Sequence, residues 1–213
     1  MLKNSINSLV LLSAMTTLSV TANGKDIDMS DPTAVYSSVG GVINEDGDVD
    51  LSVGAGWGNN LLSVESRQNF DALNVRYARM KLWKGLGLYI DATHQIEADF
   101  GSTFGIGGIY ALPINKVFQF YPIITVGGME QMKGEWSGSA TFGVYSRIQL
   151  GKGFSVGIDP FYTTSENSFS STTLDSFLGY QYKTHMFRFG LLGSDTNSTD
   201  YDSKAYIKYK FGF

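Results

Sequence analysis

Ala205-Tyr206-Ile207-Lys208-Tyr209-Lys210-Phe211-Gly212-Phe213 alternates apolar and polar side chains and closes on a phenylalanine. Successive side chains of an extended strand point to opposite faces. Ala205, Ile207, Tyr209, Phe211 and Phe213 therefore share one face, and Tyr206, Lys208 and Lys210 share the other. Large apolar groups backed by lysines suit a sheet that separates lipid from a polar interior. A soluble domain rarely ends on such a strand.

The ending resembles the terminal strand of Gram-negative outer-membrane β-barrels, whose final aromatic is similar to the signal read by the barrel-assembly machinery of that class. The resemblance rests on this short motif and singles out no specific family. It implies an all-β, transmembrane, up-and-down antiparallel barrel. It also implies that machinery as a partner during biogenesis, with outer-membrane lipid and lipopolysaccharide as surroundings.

The amino-terminal residues fit the same compartment. Lys3 supplies a positive start, Leu9 to Leu12 with Ala14, Met15, Leu18 and Val20 an apolar stretch, and Val20-Thr21-Ala22 small residues for cleavage. Residues 1–22 thus read as a secretory signal peptide, with a mature start near Asn23. Residues 23–32 read as a short periplasmic lead, and 33–213 as the barrel. The expected location is the outer membrane of a Gram-negative cell.

Composition narrows the class. The chain of 213 residues has 25 glycines, 14% aromatic and only 17% charged residues, with a mean hydropathy of −0.05. No segment after the leader approaches the roughly 20 apolar residues that a membrane helix needs. In a barrel each strand gives half its side chains to lipid and half to the lumen, so the average cancels near zero. Cysteine is absent, which excludes disulfides and thiolate metal sites. A net charge of −4 gives no reason to expect a nucleic acid.

Period-two alternation bounded by turn residues reads out as twelve strands. Val49 to Trp57 is the cleanest, with Val49, Leu51, Val53, Ala55 and Trp57 on one face and Asp50, Ser52, Gly54 and Gly56 on the other. Phe104 to Leu112, Phe118 to Val126, Ala140 to Ile148, Phe154 to Tyr162, Leu174 to Tyr182 and Phe187 to Leu191 follow the same rule. Thr33 to Ile43, Leu61 to Gln68, Leu73 to Trp83 and Leu86 to Glu97 alternate less regularly. Merging the early strands would give ten, and a count of eight would turn well-alternating segments into loops.

The connections divide by parity. Even-numbered ones are tight: Gly58-Asn59-Asn60, Lys84-Gly85, Pro113 to Lys116, Gly151-Lys152-Gly153 and Lys183-Thr184-His185. Odd-numbered ones read as longer and polar: Asn44 to Asp48, Glu97 to Ser102, Glu130 to Ser137, Thr164 to Thr173 and Gly193 to Asp202. Acids cluster at the odd connections, while Lys84, Lys116, Lys152 and Lys183 sit in the even turns. Outer-membrane barrels carry short turns on the periplasmic side and longer loops outside. The pattern therefore favours an even strand number with both termini in the periplasm. Trp57, Trp83, Phe118, Phe154, Tyr182, Phe187 and Phe213 fall at the short-turn side, where an aromatic girdle belongs.

Two stretches resist. On the face of Leu73, Val75 and Tyr77, Arg79 and Lys81 would enter lipid, so a bulge around Tyr77 to Ala78 is expected to return Met80 and Leu82 to the outside. Pro122 and Pro160 each remove a ladder donor and predict further bulges.

No catalytic constellation emerges, and neither a cofactor nor an enzyme activity is expected. Outer-membrane phospholipases place a serine–histidine pair on the lipid-facing surface, but two residues after the outward His94 stands Ile96. Asp91 lies on the opposite face of the same strand, and His185 falls in a short turn. Asp46, Asp48 and Asp50 are oxygen-rich candidates for a divalent cation, yet the spacing is not that of a calcium loop, and Asp46-Gly47 suffices as a hairpin signal. An acidic rim beside lipopolysaccharide would recruit divalent cations as bridges.

The inward face is where a function would be written. Arg67, Arg76, Asp91, Arg147, Asp159, Arg188, Lys208 and Lys210 are the candidates for lining the lumen, with Glu65 and Asp175 also on that face. Basic groups outnumber acidic ones, which favours small polar or anionic solutes in a narrow, porin-like passive channel. The size is similar to that of twelve-stranded monomeric channels for acidic oligosaccharides, without a shared motif, and a monomer is expected. The alternative is a non-conducting structural or surface-interaction barrel, its charges paired across a filled interior and its acidic loops facing outward.

Overall fold

The computed structural model describes residues 27–96, 101–132 and 134–213. The leader, the expected mature start near Asn23 and residues 97–100 of one expected loop lie outside that range. Strands are β1 (Ser38–Asn44), β2 (Val49–Trp57), β3 (Asn60–Arg67), β4 (Ala72–Trp83), β5 (Leu86–Gln95) and β6 (Thr103–Tyr110) in the first half. The second half comprises β7 (Phe118–Met132), β8 (Glu135–Gly151), β9 (Phe154–Ser165), β10 (Ser170–Tyr182), β11 (His185–Thr196) and β12 (Thr199–Gly212). Leu112–Pro113 pairs with β7 in the register that β6 already uses, and so continues β6 past a break at Ala111.

Each strand pairs antiparallel with its sequence neighbours, and β1 pairs with β12 from Ser38↔Gly212 to Asn44↔Tyr206. The sheet is therefore a closed twelve-stranded barrel without an open edge. Its exterior is apolar: Val126, Phe189 and Leu191 are each more than half exposed. Water would tolerate such a continuous apolar surface poorly, whereas lipid makes it favourable. Trp57, Trp83, Phe118, Phe154, Tyr182 and Phe187 are exposed at the short-turn end, and Phe213 packs 5.9 Å from Phe211 there. Trp136 and Tyr201 stand exposed at the other end.

The structure corrects β4. Its register shift falls between Arg79 and Trp83, with Lys81 at φ 58, not around Tyr77–Ala78. Met80 points inward and is buried, and only Leu82 is outside. Arg79 does face outward, but it pairs with Asn60 at the short-turn rim. A long cation there reaches the polar interface, so no earlier bulge is needed to hide it. The prolines cause no bulges either. The register is the same on both sides of Pro122 and Pro160, and the ladder is simply interrupted beside them. At Pro160 the gap is filled by Ser146, whose N–H donates to Asp159 Oδ1 at 3.1 Å and whose hydroxyl donates to the Ile158 carbonyl.

The expected long connections after β7, β9 and β11 are largely strand. Hairpins run on to Glu130↔Trp136, Thr164↔Ser170 and Thr196↔Thr199. Beyond the lipid both faces of a hairpin are wet, so the alternation that marks a half-buried strand disappears. Thr and Ser at 170–173 still favour extended backbone there.

The first strand begins at Ser38 and not at Thr33, and residues 27–37, which span the expected lead up to 32 and the expected strand start, turn into the short-turn mouth of the barrel. Gln181 Oε1 accepts from the Met29 N–H at 2.8 Å while its Nε2 donates to the Ile27 carbonyl at 2.6 Å. Gln149 Nε2 donates to Ser30 Oγ at 2.7 Å and Arg147 Nε to the Ser30 carbonyl at 2.8 Å. Met29 is buried at 2% exposure. A Cβ on Gly56 would lie 2.7 Å from the Tyr36 backbone, so only glycine lets the segment lie against the wall there. The glutamine hydrogen bonds contribute ~0.5–1.5 kcal/mol each, and the one from the Arg147 guanidinium about 1.5–3 kcal/mol. The segment is held firmly but not irreversibly.

Close strand approach has its own requirement. A Cβ on Gly107 would meet the Ile124 carbonyl oxygen of β7 at 1.8 Å. On the outer face, a Cβ on Gly108 would meet nothing nearer than 3.5 Å. Gly107→Ala is expected to destabilise the barrel by about 1–3 kcal/mol. Gly108→Ala should stay within about 0.5 kcal/mol of wild type. Reversible denaturant unfolding in lipid vesicles checks both, and equal losses would contradict the inward placement of Gly107.

Candidate functional site

The lumen is built from one side of every strand. Cross-strand pairing places Arg76 of β4 opposite Asp91 of β5, and Arg76 Nε lies 3.0 Å from Asp91 Oδ1. Lys208 of β12 reaches over β1 and β2 to Glu65 of β3, with Nζ 2.9 Å from Oε1. Arg147 of β8 and Asp159 of β9 form a two-pronged pair through Nη1–Oδ1 and Nη2–Oδ2, the latter at 3.1 Å. Their side chains are 2% and 3% exposed. Two further Arg147 donors are used as well: Nη1 also meets the Ser146 carbonyl at 2.7 Å, and Nε holds Ser30. A buried pair persists only when its spare donors are satisfied in this way.

Three cations remain. Among the described residues no carboxylate lies within 4.0 Å of the nitrogens of Arg67, Arg188 or Lys210. Arg188 instead covers the ring of Phe177, 4.3 Å from its centroid, and Arg147 approaches the same ring at 4.9 Å. Lys210 faces the ring of Tyr36 at 6.0 Å. Asp175 has no ion partner among the described residues but accepts from the Tyr206 hydroxyl at 2.7 Å. An aromatic face attracts a cation without pairing it to a carboxylate.

The structure places the eight residues singled out from the sequence against two cavities inside the barrel. Arg67, Arg76, Asp91 and Asp159 border an outer cavity of about 370 Å³. Arg147, Arg188, Lys208 and Lys210 border an inner one of about 240 Å³. Arg76, Tyr89, Tyr145, Asp159 and Asp175 border both and form the waist between them. Sequence reasoning missed an apolar cluster that fills one side of the interior: Ala78, Met80, Tyr89, Ile109, Tyr121 and Ile123, with Val35 packed against it. The outward faces of β6 and β7 imply Ile109 and Ile123 inside, so alternation carried that signal.

Other candidates do not gather. Asp46 pairs with Lys204 Nζ at 2.5 Å, Asp48 accepts from Asn44 Nδ2 at 3.0 Å, and Asp50 accepts from the Ser66 hydroxyl at 3.2 Å. Among the described residues no group of three or more possible ligands could hold a metal ion. His94 does meet a serine, Ser102, with Oγ 3.4 Å from Nδ1. That hydroxyl also accepts from the Gln95 N–H at 3.3 Å and is buried, so it is not presented to a substrate. His185 Nδ1 lies 2.8 Å from the Tyr209 hydroxyl and joins the aromatic belt.

A closed twelve-stranded antiparallel barrel with an apolar exterior and a charged interior is the architecture of a transmembrane β-barrel. Solved structures agree on the fold. The NanC porin superposes with a TM-score of 0.60 at 13% identity, covering 83% of this chain and 98% of that one. An outer-membrane channel from Pseudomonas putida F1 gives 0.57 at 10% identity, covering 91% and 100%. The KdgM porin gives 0.52 at 6% identity, covering 84% and 99%. No family model matches the sequence, and no curated protein matches it.

Proposed function

We propose that this chain is a narrow passive channel of the Gram-negative outer membrane for small polar solutes, with a preference for anions. The observation that carries the reading is the lumen's charge balance. Its carboxylates are held by Arg76, Arg147, Lys208 or a tyrosine, while Arg67, Arg188 and Lys210 have no carboxylate partner among the described residues. Uncancelled cations inside a low-dielectric wall focus a positive field and lower the barrier for anions. The fold shared with porins supports the same reading.

Selectivity tests it. Arg147 is unsuitable for charge reversal because Asp159 would be left facing a carboxylate. Arg188→Glu combined with Lys210→Glu avoids that problem. In a salt gradient the wild-type reversal potential is expected to favour chloride, and the double variant to favour potassium, a severalfold swing in permeability ratio. An unchanged reversal potential would refute the assignment of these two cations to the conducting path.

One observation favours a second reading, a non-conducting barrel: residues 27–37 occupy one mouth. Persistent electrical silence, even after that segment is loosened, is its signature.

A further inference from the structure

We infer that residues 27–37 are a built-in stopper that closes the periplasmic mouth at rest and must leave it for solute to pass. This rests on the channel reading above. The segment does not merely lie near the barrel. It is gripped by polar side chains of the wall: Gln181 holds the backbone on both sides of Asp28 while its Nε2 also donates to the Lys183 carbonyl at 2.9 Å, and Gln149 reaches Ser30 Oγ and Asp28 Oδ2. The seat is shaped for it, because Gly56 leaves room for the Tyr36 backbone and Gly212 for Met29 and Tyr36. Strand side chains at those two positions would fill the mouth with wall instead.

The segment is also tied to the ionised lumen. Arg147, which closes the pair with Asp159, spends its Nε on the Ser30 carbonyl. Tyr36 stands opposite Lys210 in the inner cavity, and Asp31 borders the same space. An anion entering that cavity meets the segment as its floor. Passage therefore depends on breaking a small set of hydrogen bonds that the wall can remake.

The chain lacks cysteine, so a single Ser30→Cys reports on the stopper without a background. Ser30 is 3% exposed, and a membrane-impermeant maleimide should label this cysteine slowly. Two changes act from opposite directions: Gln149→Ala with Gln181→Ala removes the grips, and Gly56→Val wedges the seat while the segment's own sequence stays intact. Heat-modifiable gel migration confirms that each variant folds. Each is expected to accelerate labelling at least tenfold and to raise mean bilayer conductance severalfold. Faster labelling with unchanged conductance would overturn the inference, as would labelling that does not move. If wild type and both variants conduct equally, the stopper fails and the channel stands. If all three are silent, the channel reading fails and takes the stopper with it.

Discussion

Arg147→Ala is expected to lower the stability of the folded barrel by about 3–5 kcal/mol, because it leaves the Asp159 carboxylate buried without its partner. The guanidinium makes two bonds to that carboxylate and two to carbonyls, all in a site that water barely reaches. Asp159→Leu alone should cost a similar amount by stranding the arginine. Arg147→Met with Asp159→Leu should recover most of the loss, since a buried pair is worth far less against an apolar replacement than against a broken one. Equilibrium unfolding in vesicles measures all three. Additive single losses in the double variant would show that the two side chains do not act as a pair.

The second large effect concerns the two faces of one strand. Ile124 of β7 points outward and is half exposed, while its neighbour Thr125 borders the outer lumen cavity. Ile124→Arg places a cation in the middle of the lipid-facing band and is expected to cost about 2–4 kcal/mol. Thr125→Arg enters a space that already holds Arg67 and Arg76, and should cost far less. Folding yield into vesicles and unfolding midpoints compare them. Equal penalties would contradict the inside-out arrangement on which the reading of the lumen depends.

The arrangement was legible in the sequence wherever lipid and lumen impose opposite demands on alternate residues. Val49 to Trp57 is strand β2 to the residue, the tight turn at Lys84-Gly85 separates strands as expected, and the one expected at Gly151 to Gly153 is formed by Lys152-Gly153 alone. The pattern failed where that opposition ends. Outside the lipid, Ser170 to Thr173 and Ser194 to Thr196 are strand with both sides wet, so nothing alternates. At the short-turn rim, Arg79 can face outward because its charge reaches the interface, and a rule written for the bilayer midplane put the bulge too early.

The lumen was legible as a set of inward charges but not as a set of partners. Arg76 and Asp91 lie on the two strands of one hairpin whose turn at Lys84-Gly85 is visible, so they could be shortlisted as partners, but counting from that turn sets Arg76 against Thr93, and only the register shift between Arg79 and Trp83 brings it to Asp91. Lys208 and Glu65 could not have been matched so simply, because they meet only once β1 and β12 close the sheet. The segment at 27–37 was the least legible. Asp28, Ser30, Asp31 and Thr33 satisfy one another in local turns, and such a stretch reads as solvated loop. Gly56 and Gly212, small residues on the inward face at the mouth, carried the only hint.

Single-channel recording on the purified full chain in a planar bilayer tests the central claim most directly. Discrete conductance steps that favour anions, enlarged or prolonged by Gln149→Ala with Gln181→Ala, are the expected result. Silence from both the wild-type chain and the loosened variant, each shown to be folded by heat-modifiable migration, would contradict it.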